Sequence, residues 1–210
     1  MFNLIIKDII IQKKDKSIFI FIFLNVVNTF ILQNNYGVSI FLCFLSIYLL
    51  SVYANAYDFK YNSELMINSI PVNRKIVVTA KYLSVFIFFI CAVVITLMAG
   101  TLVHFVSPAL ISKVLSINTI FIELFIVSIY FSIFFPFYYK LGYLKSRWAN
   151  FIIMGIIGGI ISSVADISGG YMKLGGYSKL VQNSILLGTA MIIIVVSVFI
   201  SIKIYSNKEF

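Results

Sequence analysis

Apolar residues in this chain gather into long unbroken runs with little polar alternation. Six runs approach the ~20 residues with which an α-helix crosses ~30 Å of hydrocarbon. They are Ile18–Leu32, Val38–Tyr53, Tyr82–Val106, Ile117–Tyr138, Asn150–Ile167 and Ile185–Ile204. The first is short unless it extends through Gln33 and Asn34. Continuous apolar runs predict helices and not a barrel, because a lone segment in lipid must satisfy its own backbone polar groups. The predicted fold is an all-α membrane protein of six spans. Met1–Lys16 mixes Phe2, Leu4, Ile5, Ile6 and Ile9 with Lys7, Asp8, Gln12 and Lys13. Too polar to cross, it either lies in the interface with its apolar side in the acyl boundary or prolongs the first span.

One stretch breaks the pattern. Ser63–Leu83 reads SELMINSIPVNRKIVVTAKYL, a short amphipathic segment, a proline and a basic cluster between the second and third runs. Asn62 or Ser63 is placed to cap a short helix, and Glu64 suits the positive end of its dipole. Leu65, Met66 and Ile70 fall on one side of it. Pro71 denies Ile70 the α conformation and ends the helix. Asn73 is then placed to cap a second helix that runs through Arg74, Lys75 and Lys81 into the third span. An apolar face on so short a piece has no core to join, so a partner's groove or the lipid surface must take it.

Composition agrees with a lipid solvent: the 210 residues are 61% hydrophobic and 11% charged, with mean hydropathy +1.06. The charges set orientation. With the N-terminus inside, thirteen of the sixteen Lys and Arg fall on the cytoplasmic side, leaving Lys113, Lys173 and Lys179 outside. That imbalance is the positive-inside pattern and places both termini in the cytoplasm. A net charge of +9 distributed along helix ends points to anionic lipid headgroups and not to nucleic acid. The organisation is a single transmembrane domain over 1–210, with an interfacial helix at 1–16, a cytoplasmic segment at 54–81 and an external loop at 166–184.

Catalytic chemistry is sparse. His104 is the only histidine, so neither HExxH nor a two-histidine metal site can be built. Glu123 alone lies deep in a span, short of the carboxylate pair that intramembrane hydrolysis requires, and no catalytic or metal-binding residue is assigned. Cys43 and Cys91 read as buried small hydrophobes. The glycine-rich string Gly169–Gly176 lacks the Lys and Ser/Thr of a phosphate loop, since Gly176 and Tyr177 stand in their places. The intramembrane polar residues are more informative. Asn25, Asn28 and Thr29 share one face of the first span, and Glu123 lies roughly 9 Å below the outer end of its helix. These residues either line a pathway or bond to neighbouring helices. Gly155, Gly159 and Ser163 recur every fourth residue, which allows close helix approach within or between subunits.

Two elements carry a family likeness. Tyr57-Asp58, Glu64-Leu65, Asn68-Ser69-Ile70-Pro71-Val72-Asn73-Arg74-Lys75 and Lys81-Tyr82-Leu83 resemble the acidic, S-L-P-V-x-R, K-Y-L signature of permease subunits of the ABC type 2 exporter family, with Ile70 in place of the usual leucine. Pro136 through Lys140-Leu141-Gly142-Tyr143 and Lys145-Ser146-Arg147 resembles the family's P-x-x-x-K-x-G element. The likeness spans essentially the whole chain. It implies a bacterial plasma-membrane half-transporter that pairs with a second permease, the same or different, and with separate ATPase subunits that bind ATP and Mg. Asp58, Glu64, Leu65, Met66, Asn68, Ile70, Pro71 and Arg74 would then form a coupling helix and its surroundings. The first and fifth spans would line the subunit interface, and the cargo would be an amphipathic or antimicrobial peptide. The rival readings are a substrate-binding subunit of an energy-coupling importer, whose small-residue docking motif Ser17–Leu32 lacks, and an immunity or scaffold membrane protein.

Overall fold

The computed structural model describes residues 2–14, 17–32, 35–69, 73–106, 116–168 and 179–208. Among these the chain is helical throughout, with no strand. The helices are α1 (Phe2–Lys14), α2 (Ser17–Ile31), α3 (Tyr36–Lys60), α4 (Ser63–Asn68), α5 (Arg74–Val106), α6 (Ile117–Ser168) and α7 (Lys179–Ser206). Four helical stretches are long and apolar enough to cross a membrane: Tyr36–Lys60, Arg74–Phe105, Ile117–Gly159 and Leu180–Ser206. The first expected run is the shorter α2, whose 15 residues span about 22 Å at 1.5 Å per residue.

The fourth and fifth expected spans form one element, α6, which turns back on itself. Gly142 has φ +75° and ψ 172°, a backbone that favours glycine because it has no Cβ. Twenty residues of straight helix would separate their ends by ~30 Å, yet Tyr130 donates its hydroxyl hydrogen to Asn150 across the turn. α6 therefore has two legs, before and after Gly142.

α3 packs against both. Its Phe44 and Tyr48 meet Tyr130 of the first leg edge-on, with ring centroids 5.0 and 5.8 Å away. On the second leg, Tyr143 stacks on Phe59 at 5.0 Å, Asn150 donates to Tyr48 at 3.2 Å, and Gly158 lies beside Phe41. Falling number along α3 accompanies rising number along this leg, so the two are antiparallel. α7 runs parallel to the first leg: Asn183 bonds Asn118 at 2.7 Å, Ser197 bonds the Ser132 carbonyl at 2.7 Å, and the Tyr205 ring lies 5.1 Å from Tyr139. α5 is antiparallel to α7, with the Tyr82 hydroxyl 2.6 Å from Ser197 and 2.9 Å from Ser201.

Polar side chains point inward and large apolar ones outward, as lipid surroundings require. Asn25, Asn28, Glu123, Asn150 and Ser201 are buried, whereas Phe105, Ile152, Ile192 and Phe199 are exposed. α1 follows the same rule at the surface. Ile5, Asp8 and Gln12 face the bundle, while Phe2, Ile6, Ile9 and Ile10 are exposed on the other side.

Candidate functional site

The end of the bundle where α1 and the segment after α7 lie holds the most organised chemistry. α3 stops at Tyr61, whose N–H bonds the Tyr57 carbonyl, and Asn62 follows with φ +49°. Left-handed asparagine just past a helix is a common C-terminal stop. The sequence made Asn62 a possible starter of α4; it follows the end of α3 and also precedes α4, whose first intrahelical bond runs from the Met66 N–H to the Asn62 carbonyl at 3.3 Å. Asn73 caps α5 as its residue type predicts, accepting the Lys75 N–H at 3.0 Å. α4 is thus a six-residue helix slung between two long ones. Met66 is 70% exposed and faces outward from α4. Ile70 and Pro71 lie outside the described residues, as do the side chains of Leu65, Asn68 and Ser163.

Beneath α4 lies a buried charge quartet from three helices. Lys7 and Asp8 come from α1, Asp58 from α3 and Lys81 from α5. Lys7 and Lys81 both bond Asp58, and Lys81 also lies 3.4 Å from Asp8. Ser84 donates to Asp8 at 3.0 Å, and one helical turn on, Gln12 donates to the Leu50 carbonyl at 2.7 Å. Two cations and two carboxylates cancel in formal charge. The Asp8 side chain is 3% exposed and those of Asp58 and Lys81 12% each, so the pairing holds largely without solvent screening. A cavity of about 40 Å³ brings Asp8, Asp58 and Lys81 together with Glu64 and Ile67 of α4, so α4 shares a boundary with the quartet.

Glu64 and Arg74, expected at a partner contact, engage this chain's own C-terminal end. Lys208 bonds Glu64 at 2.9 Å. Arg74 donates to the carbonyls of Tyr205, Ser206 and Lys208 at 3.4, 2.8 and 3.0 Å. The last carbonyls of a helix lack intrahelical donors and carry its negative pole, so a guanidinium suits them.

The intramembrane polar residues sit elsewhere. Asn25 donates to the Phe21 carbonyl at 2.7 Å and accepts from Thr96 of α5 at 3.3 Å; Thr29 bonds the Val26 carbonyl. With Asn28 they are buried inside the bundle. The expectation of a subunit interface on this face therefore meets a different packing: α5 covers it within the chain. Asn28 has no side-chain hydrogen-bond partner among the described residues, and the thiol of Cys43 lies against the Glu123 carboxyl group. Gly155 and Gly159 are exposed, and a Cβ on either would meet nothing within 4 Å. Among the described residues no group of three or more His, Cys, Asp or Glu is placed to hold a metal.

Reading the sequence missed Asp8 as a partner of Lys81 and missed Lys208 as a partner of Glu64. Its signal was the scarcity of acids: with seven Asp and Glu among 210 residues, each one near a basic helix end is a candidate for pairing.

The family described as ABC-2 family transporter protein matches residues 3–206. No curated protein and no solved structure matches the chain.

Proposed function

Because the chain belongs to the ABC-2 family of transporter membrane proteins, we propose that it is one transmembrane half of an ATP-driven exporter and takes up the motion of a separate ATPase through α4. The observation that carries the reading is the suspension of α4 between α3 and α5, with Met66 turned outward and the quartet behind it. A short helix pressed by a partner would load Ile67 and Glu64, and through their shared cavity the ends of α1, α3 and α5. Asp58 belongs to this route from the inside, Glu64 ties α4 and Arg74 ties the start of α5 to the segment that ends α7, and Leu65, Met66, Asn68, Ile70 and Pro71 supply the docking side and its joint.

The chain crosses six times in this reading, because α6 contributes both of its legs and α2, though short, continues into the turn at Leu32. α1, α4 and Lys208 meet at one end of the bundle, and the lysine distribution supports assigning that end, and with it both termini, to the cytoplasm of a bacterial cell. ATP and Mg belong to the ATPase. A second permease, the same or different, completes the pathway, with Gly155, Gly159 and Ser163 offering the close contact. Asn25, Asn28, Thr29 and Glu123 are the polar lining available to a cargo, which the family resemblance suggests is an amphipathic peptide.

The test is Met66→Asp. Burying a methionine contributes about 1.5–3 kcal/mol, and a carboxylate in an apolar groove adds a desolvation cost. ATPase subunits isolated with the wild-type chain should be lost from the variant, which should fold normally because the site is exposed. Full retention of the ATPase together with unchanged export would overturn the docking role of α4.

A further inference from the structure

Between α3 and the second leg of α6 lies a larger cavity, of about 340 Å³, separate from the quartet. Tyr143, Ser146, Arg147 and Phe151 form one wall, and Val52 and Asn55 the other. Asn55 is 1% exposed, and neither its amide nitrogen nor its oxygen has a hydrogen-bond partner among the described residues. Burying an amide unpaired is costly, and this side chain belongs to the cavity wall. Arg147 supplies the only charge on the described lining, with no Asp or Glu beside it, and no ion pair engages it among the described residues.

A guanidinium with no carboxylate near it and an idle amide, lining one cavity, suit an anion with several acceptor oxygens. The remaining walls select a chain. Phe151 and Ile152, one turn beyond Arg147, are 56% and 65% exposed, which continues the cavity along an apolar helix face. Its depth agrees: Arg147 is five residues past the Gly142 turn, ~7.5 Å along the helix. Its neighbour Trp148 is 75% exposed, as residues of an interfacial aromatic belt are.

We propose that this cavity binds an anionic phospholipid, its phosphate against Arg147 and Asn55 and an acyl chain along Phe151. The site stands on the α3–α6 packing and not on ATPase docking, so it survives if the reading of α4 fails.

The full chain, purified in detergent and titrated with phosphatidylglycerol or phosphatidylcholine, is read by native mass spectrometry. One phosphatidylglycerol should be retained in preference to phosphatidylcholine. Arg147→Gln should weaken retention about tenfold, the scale of a charged hydrogen bond. Asn55→Leu should weaken it several-fold without any change of charge. Lys203→Gln, an exposed cation on α7 away from the cavity, should leave it unchanged. Should Asn55→Leu fail to fold, Arg147→Gln, at an exposed position, asks the same question. Equal retention by Arg147→Gln, or an equal loss in Lys203→Gln, would overturn the site. Displacement of the lipid by glycerol 3-phosphate at millimolar concentration would also overturn it, since that result describes a site for free phosphate.

Discussion

Replacing Lys81 by Met removes one charge from a group of four and keeps the length of the side chain. In the native quartet, Lys7 and Lys81 offset Asp8 and Asp58. Without Lys81, two carboxylates share one cation, and the formal charge falls from zero to −1. Lys7 cannot compensate fully, because its side chain is 30% exposed and water weakens its attraction. Two unit charges 4 Å apart interact by about 4 kcal/mol at an effective dielectric of 20, and removing one partner of a buried pair typically costs 3–5 kcal/mol. The expected loss is therefore about 3 kcal/mol, or roughly 6–12 °C in midpoint for a chain of this size. Thermal unfolding in detergent measures it. Adding Asp58→Asn to Lys81→Met restores a neutral Lys7–Asp8 pair and should recover at least half of the loss. A single variant within 1 °C of the wild type, or a double variant no more stable than the single, would refute the view that charge balance holds α1, α3 and α5 together.

Other expectations are shorter. In a background lacking Cys43 and Cys91, a cysteine at Leu180 should react with an impermeant thiol reagent added outside intact cells and one at Ser63 should not; the reverse pattern would invert the topology. Gly159→Leu should lower dimer content in lipid with little effect on unfolding, because the glycine faces open space within the subunit; unchanged association would assign that face to lipid. Asn25→Leu should cost ~0.6–2 kcal/mol by removing the bond with Thr96, read as a lower unfolding midpoint, and an unchanged midpoint would mean that this bond adds nothing. Glu64→Lys faces Lys208 with a like charge and should raise protease cutting at the C-terminal end, while adding Lys208→Glu should reverse the effect; equal cutting in all three chains would show the clasp to be open.

The long spans, the surface helix and the cap at Asn73 were legible because each depends on neighbours in sequence. Apolar run length and residue type at a helix start are local properties. The single element α6 was half legible: two runs were visible, but the continuity of helix up to a lone left-handed glycine depends on Tyr130 and Asn150 meeting across the turn. The quartet was not legible. Lys7 and Lys81 were read for the side of the membrane they mark, which uses their charge and ignores their reach. Their partners lie 51 and 23 residues away at Asp58, a pairing fixed by how three helices pack. Glu64 and Arg74 stood out correctly as unusual, yet nothing local ties them to a C-terminal end more than 130 residues further on.

The inward polar face of α2 has a consequence for how the chain is made. Asn25 leaves the ribosome 71 residues before Thr96, the side chain that bonds it. At 5–20 residues per second, the interval is about 4–14 s. During it α2 is a short helix carrying two amides and a threonine that hydrocarbon does not accommodate. Its release into lipid must wait for α5, either beside the insertion machinery or held at the surface by α1. Insertion of this chain is therefore ordered by a debt between α2 and α5, and a mutation at Thr96 should delay membrane integration of a helix that had been synthesised long before it.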